Sequence, residues 1–102
     1  MRVETVVKEQ LAAELIGMFE DWTQVHISAA LHLPQGDVSL LRRGRLSGFS
    51  VARLLRCFAW RGYNVEVRLV EATNRRTSWP TVTVTRFDRF GREVGRHEEL
   101  AR

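Results

Sequence analysis

The sequence predicts a mainly α domain of four to five helices arranged around a helix-turn-helix, followed by a C-terminal strand and a β-hairpin extension. Three observations predict it. Apolar residues recur at three- and four-residue steps from Val6 to Trp22 and again through Leu54, Leu55 and Phe58, which is the period of one-sided helices. Between them, two short patterns joined by a turn at His32-Leu33 place Ile27, Leu31, Leu33, Val38 and Leu41 where two steeply crossing helices bury side chains. Beyond Gly62 the period falls to two, as in half-buried strands.

The first helix spans Val6 to Trp22, with Val7, Leu11, Leu15, Met18, Phe19 and Trp22 as its buried stripe. Thr23 caps the next helix through its hydroxyl, and Gln24 to about Ala30 form the body. The helix after the turn runs from about Gln35 to Arg43 and stops at Gly44, a residue free to take the left-handed conformation past a helix end. After the loop Arg45 to Gly48, Ser50 opens a fourth helix as N-cap, with Phe49 set to pack on Leu54. That helix ends near Arg61, and Gly62 follows it.

Asn64 to Val70 alternates apolar and polar residues as a strand does. Thr73 to Pro80 reads as a loop, Thr81 to Phe87 as a second strand, Asp88 to Gly91 as a turn and Arg92 to Glu98 as the return strand. A two-stranded hairpin is marginal in water, so the Val65 strand is expected to join it, under a cover supplied by the chain's own helices or by a second copy. The expected division is residues 1–70, a helix-turn-helix domain ending in a strand, and residues 71–102, a hairpin extension serving dimerisation or partner binding.

At 102 residues the chain is long enough for one real core. Sixteen basic residues against twelve acidic ones give a net charge of +4, and Lys8 is the sole lysine. Their placement is more telling than the sum. Between Asp37 and Glu66 no acid occurs, while Arg42, Arg43, Arg45, Arg53, Arg56 and Arg61 do, a candidate phosphate-facing surface that begins at the second helix of the motif. Cys57 is the one cysteine, which excludes an intrachain disulfide and a cysteine-rich zinc site and fits a reducing cytoplasm. No signal peptide or membrane-length apolar run is present in the sequence. His26, His32 and His97 are scattered, and no zinc-protease, phosphate-loop or Ser-His-Asp arrangement occurs, so neither an enzyme nor a cofactor is expected. Cys57, set among Leu54, Leu55 and Phe58, reads as a small buried hydrophobe.

A helix-turn-helix leaves its second helix with a free outer face that fits a DNA major groove. At about 100° per residue, Val38 and Leu41 define the buried direction, so Gly36, Ser39, Leu40 and Arg43 point away and Gln35, Asp37 and Arg42 flank them. Gln35, at the amino end, suits a bidentate contact to adenine, Arg43 a guanine or a phosphate, Ser39 either, and Leu40 a thymine methyl. Gly36 lets the backbone come close to the groove. Asp37 either stabilises the helix amino end or accepts from cytosine N4. Arg45 is placed as a phosphate clamp.

Thr23-Gln24, Leu31, Leu33, Gln35, Val38-Ser39, Leu41, Arg43-Gly44-Arg45-Leu46, Phe49-Ser50 and Gly62 to Val67 together resemble the XRE-type, lambda-repressor-like helix-turn-helix regulators, and among them the small HigA-like antitoxins. The resemblance covers about residues 10 to 68. It implies a double-stranded DNA operator with palindromic half-sites, a homodimer, autorepression, a cognate toxin protein as partner, and a phosphate contact from Gln24. A phage or mobile-element repressor without a toxin, and a protein-interaction module that uses the hairpin, are the alternatives. His32 stands where this family usually has glycine, Pro34 where it has a Ser or Thr cap, and His26 where a glutamate often completes a capping box.

Overall fold

The computed structural model describes residues 3–71 and 79–102, so most of the loop read at Thr73 to Pro80 lies outside the described residues. Four helices lead into three strands: α1 (Val3–Gly17), α2 (Gln24–Leu31), α3 (Gln35–Arg42), α4 (Val51–Trp60), β1 (Asn64–Val70), β2 (Thr81–Phe87) and β3 (Glu93–Leu100). α1 touches α3 and α4 on one side and β2 and β3 on the other. A single buried cluster runs from Val6, Leu11 and Leu15 through Ile27, Val38, Leu54 and Phe58 to Val82 and Val84 of β2 and Ala101 just past β3, with Val65 and Val67 of β1 packed against it.

The first helix differs from its expected span. It starts at Val3, with Glu4 in the first turn where the helix end favours negative charge, and it stops at Gly17 rather than continuing to Trp22. The chain then tightens through three-residue turns, Met18 N–H to Leu15 O (3.3 Å), Phe19 N–H to Ile16 O (3.0 Å) and Trp22 N–H to Phe19 O (3.0 Å). Such turns repeat every three residues, which is why Met18, Phe19 and Trp22 mimic the helical stripe. Phe19 is buried, whereas Trp22 is exposed and meets Phe19 edge-on at 5.0 Å.

The caps expected from the sequence are present. Thr23 Oγ1 accepts the His26 N–H at 3.3 Å and Ser50 Oγ accepts the Arg53 N–H at 3.0 Å, interactions worth about 1 kcal/mol each. Arg43 caps α3 and is followed by Gly44 at φ +70°, with Gly44 N–H bonded to Leu41 O (3.1 Å) and Arg45 N–H to Leu40 O (2.9 Å). This paired arrangement satisfies two carbonyls that the helix end would leave orphaned.

The sheet is antiparallel in the order β1-β2-β3, so the Val65 strand does join the hairpin. By register, Val65, Arg86 and Gly95 share one face with Val67, Val84 and His97, and this face carries α1. Its cover therefore comes from the same chain. The opposite face presents Glu66, Thr85 and Arg96 in one row and Arg68, Thr83 and Glu98 in the next. A bulge between Arg86 and Phe87 adjusts the hairpin. Beyond it, Asp88 closes the turn by accepting the N–H groups of Phe90 (2.9 Å) and Arg92 (3.0 Å).

α1 is fixed to the sheet by polar contacts as well as apolar ones. Gln10 Nε2 donates to Val82 O at 3.0 Å, and the Glu14 carboxylate binds Arg86 Nε at 2.6 Å and His97 Nε2 at 2.7 Å. Gly95 makes room for it. A Cβ there would lie 2.7 Å from Glu14 Cδ, with the carboxylate oxygen nearer still.

Candidate nucleic-acid interface

α2 and α3 are joined by a turn whose geometry the sequence makes unusual. His32 takes the left-handed conformation at φ 56°, ψ 41°, which a histidine tolerates better than a branched residue. Its ring stacks on Trp60 of α4, with centroids 3.9 Å apart and planes at 14°. That stacking offsets the backbone cost of lacking a glycine. Ser28 Oγ donates to Leu33 O across the turn, and the Leu33 N–H bonds Ser28 O at 3.1 Å. Pro34, at φ −58°, leads into α3 with no side-chain cap; its carbonyl accepts the N–H groups of Asp37 (3.0 Å) and Val38 (3.2 Å). The preset φ of proline replaces part of what a serine cap would supply.

Val38 and Leu41 are buried, as the helical spacing requires, and Gln35, Gly36, Arg42 and Arg43 are exposed. Gln24, the first residue of α2, donates from Nε2 to Gln35 O at 3.0 Å. The amino ends of the two helices are thus tied together, and the Gln35 side chain stands at that junction. Arg45 follows on the exposed loop.

The remaining residues of the face are less free than the spacing suggests. Leu40, expected to point outward, is half-buried and packs against the core; α1 lies close enough to α3 to cover that flank. Ser39 is half-buried, and its carbonyl accepts from Arg43 Nε at 3.4 Å. Arg42 donates to Trp22 O at 2.6 Å, which pins the end of α3 to the α1–α2 connection. Asp37 is ion-paired to Arg53 of α4, a role not weighed in the sequence. The Arg53 guanidinium also sits over the Phe49 ring at 4.7 Å.

That ion pair changes the electrostatics of the face. Asp37 is the acid on α3, and Arg53 neutralises it locally, so Arg42, Arg43 and Arg45 dominate the exposed charge around the helix. Arg61 is engaged elsewhere, over Phe19 at 5.9 Å and Trp22 at 5.6 Å. Arg53, Trp60 and the Trp22 carbonyl are contributors that local spacing does not reveal, because each acts across sixteen or more residues of chain. Cys57 is buried; desolvation raises its thiol pKa, partly offset by nearby Arg53, so it stays a protonated core side chain.

Gly36 is informative for what surrounds it. A Cβ built there meets nothing within 4 Å, and its φ is ordinary. Glycine inside a helix costs about 0.5–1 kcal/mol relative to alanine. Nothing within the described residues requires a glycine there.

A family model described as a helix-turn-helix domain matches residues 3–70, from α1 to the end of β1. No curated protein and no solved structure matches the chain.

Proposed function

Because the chain belongs to the helix-turn-helix domain family, with two thirds of its length in the match, we propose that it is a sequence-specific, double-stranded DNA-binding transcriptional regulator. The observation that carries this is the outer face of α3: an exposed Gln35 fixed at its backbone by Gln24, a glycine with no internal cause at position 36, and Arg43 and Arg45 beyond it. Gln35 reads a base, Gly36 admits the groove wall to the backbone, and Arg43 contacts guanine or phosphate. Gln24 and Arg45 set register on the phosphates, with Arg42 at the edge of the same surface. Ser39 and the accessible part of Leu40 meet the groove floor, and Asp37 serves through Arg53 as a brace.

One recognition helix reads few base pairs, so a dimer on half-sites about 34 Å apart follows as the working unit. The residue pattern shared with XRE-type regulators supports an autorepressor, and its likeness to HigA-like antitoxins extends the proposal to a cognate toxin bound by the same chain. Gel-shift with the DNA upstream of its own gene against an equal mass of random duplex, at stated salt, tests the regulator: preference for the upstream duplex is expected. Equal binding of both contradicts it. Among the described residues no helix is long and apolar enough to cross a membrane.

A further inference from the structure

The outer face of the sheet, away from α1, carries a charge pattern that is its own complement. Glu66 and Arg96 flank Thr85 on β1 and β3, and one row along, Arg68 and Glu98 flank Thr83. The signs therefore alternate around a square, acid beside base on each strand and across each row. Among the described residues no helix lines this face; it forms a trough of about 360 Å³ lined by these charges, with Val70 at one end and Phe87 at the other. Thr83 and Thr85 form a floor only 8% and 4% exposed, walled by the longer side chains. Val70, Thr81 and Leu100 end the face in a partly apolar row, with Val70 48% and Leu100 39% exposed.

The geometry points to a second copy of this chain as the occupant, docked face to face about a two-fold axis parallel to β2. That rotation exchanges left and right across the face while keeping strand direction. Each Glu66 then opposes Arg96 of the other copy, each Arg68 opposes Glu98, and Val70 meets Leu100. A two-fold axis across the strands also pairs opposite charges, but it sets the Val70 row against the Asn64, Phe87 and Glu93 row and loses the apolar match. An isologous contact needs this self-complementarity, since every patch must fit its own image. Charged rims set the register and reject other partners, while the threonine floors face each other across water, as polar interfaces commonly do.

The proposal rests on the dimeric regulator above and names its self-association surface. The strands give a footprint of roughly 24 Å by 14 Å, smaller than the roughly 800 Å² per partner of a stable interface. Self-association is therefore weak in free solution and is strengthened when two half-sites hold two copies together.

Sedimentation of the full chain without DNA, over a wide concentration range, tests this. Wild type is expected to dimerise reversibly, and to dissociate as salt rises because the opposing charges are screened. Arg96→Glu and Glu66→Arg each replace two attractive contacts per dimer by repulsive ones, and each is expected to weaken association on the order of 10- to 100-fold. An equimolar mixture of the two regains dimerisation, because the glutamates of one copy then face the arginines of the other; the axis across the strands predicts no such rescue. Both positions are exposed, circular dichroism checks the fold, and Arg96→Gln and Glu66→Gln act in the same direction more weakly. A monomeric wild type, salt-independent association, single variants that dimerise like wild type, or a mixture that stays monomeric overturns the proposal. Wild type that lacks preference for upstream DNA while the mixture still dimerises overturns the regulator and leaves this surface standing.

Discussion

Two glycines and the polar groups around them separate what holds this molecule together from what it offers to a partner. Gly95 lies on β3 where the carboxylate of Glu14 presses against the strand, and that carboxylate is bound by Arg86 and His97. Gly36 lies on α3 with open space around it, beside a glutamine whose side chain faces solvent. Around Gly95 each charge has an internal partner and the glycine has an internal cause. Around Gly36, Gln24 holds Gln35 through its backbone carbonyl while the Gln35 side chain is exposed, and among the described residues a Cβ on the glycine would meet nothing within 4 Å. Buried polar groups with partners stabilise a fold, whereas exposed ones at a presented helix face are available for recognition.

The largest expected effect lies on the Gly95 side. Glu14→Ala leaves Arg86 half-buried, its side chain only 13% exposed, without its carboxylate, and removal of one member of such a pair costs about 3 kcal/mol. Thermal or denaturant unfolding checks this, and the preference of the folded fraction for operator over random DNA is expected to be unchanged. A variant as stable as wild type breaks the comparison from that side. Gln35→Ala inverts the outcome: stability within about 0.5 kcal/mol of wild type, but about 1–3 kcal/mol lost from discrimination at one position of each half-site. Equal loss on operator and random duplex contradicts the role given to Gln35.

Gly36→Ala sharpens the contrast because its two readouts should move in opposite directions. Unfolding is expected to become harder by about 0.5–1 kcal/mol, since alanine favours the helix and the added methyl meets nothing, while affinity for DNA falls. Unchanged DNA affinity removes the reason given for glycine there. The smallest effect is at the hairpin turn. Hydrogen bonds from the Arg92 backbone, then from Phe90 and the Arg92 side chain, hold the Asp88 pKa below its usual 3.8. A carboxyl whose folded pKa is depressed contributes stability above its unfolded value and loses it as pH falls through the folded one. The Asp88 contribution to hairpin stability is therefore flat near neutrality and declines below about pH 4, and Asp88→Asn should remove that part of the loss from acid unfolding curves.

Much of the fold was legible because its determinants are local. Thr23 and Ser50 cap through bonds three residues long, Gly44 and Gly62 each take positive φ just past a helix, and β1 announces itself by alternation. What the sequence concealed acts at a distance. Gln10 and Glu14 look like ordinary polar residues on α1, yet both are buried, because α1 is wedged between helices and sheet and needs polar partners for a backbone carbonyl of β2 and for Arg86. The end of α1 was hidden by three-residue turns that prolong the apolar rhythm. At the candidate site, the exposure of Gln35, Gly36 and Arg43 followed from helical geometry, whereas Leu40 was drawn inward by packing, and the bracing of Asp37 by Arg53 and of His32 by Trp60 depends on where α4 lies.

The most direct measurement is a residue-resolved titration of the isotope-labelled full chain with its upstream duplex, followed by amide chemical shifts in NMR. The largest changes are expected at Gln24, across Gln35 to Arg43 and at Arg45, with the strands β1 to β3 changing little on the α1-covered side. Changes centred on the sheet or the Asp88 turn, with α3 unmoved, would contradict the assignment of DNA recognition to α3.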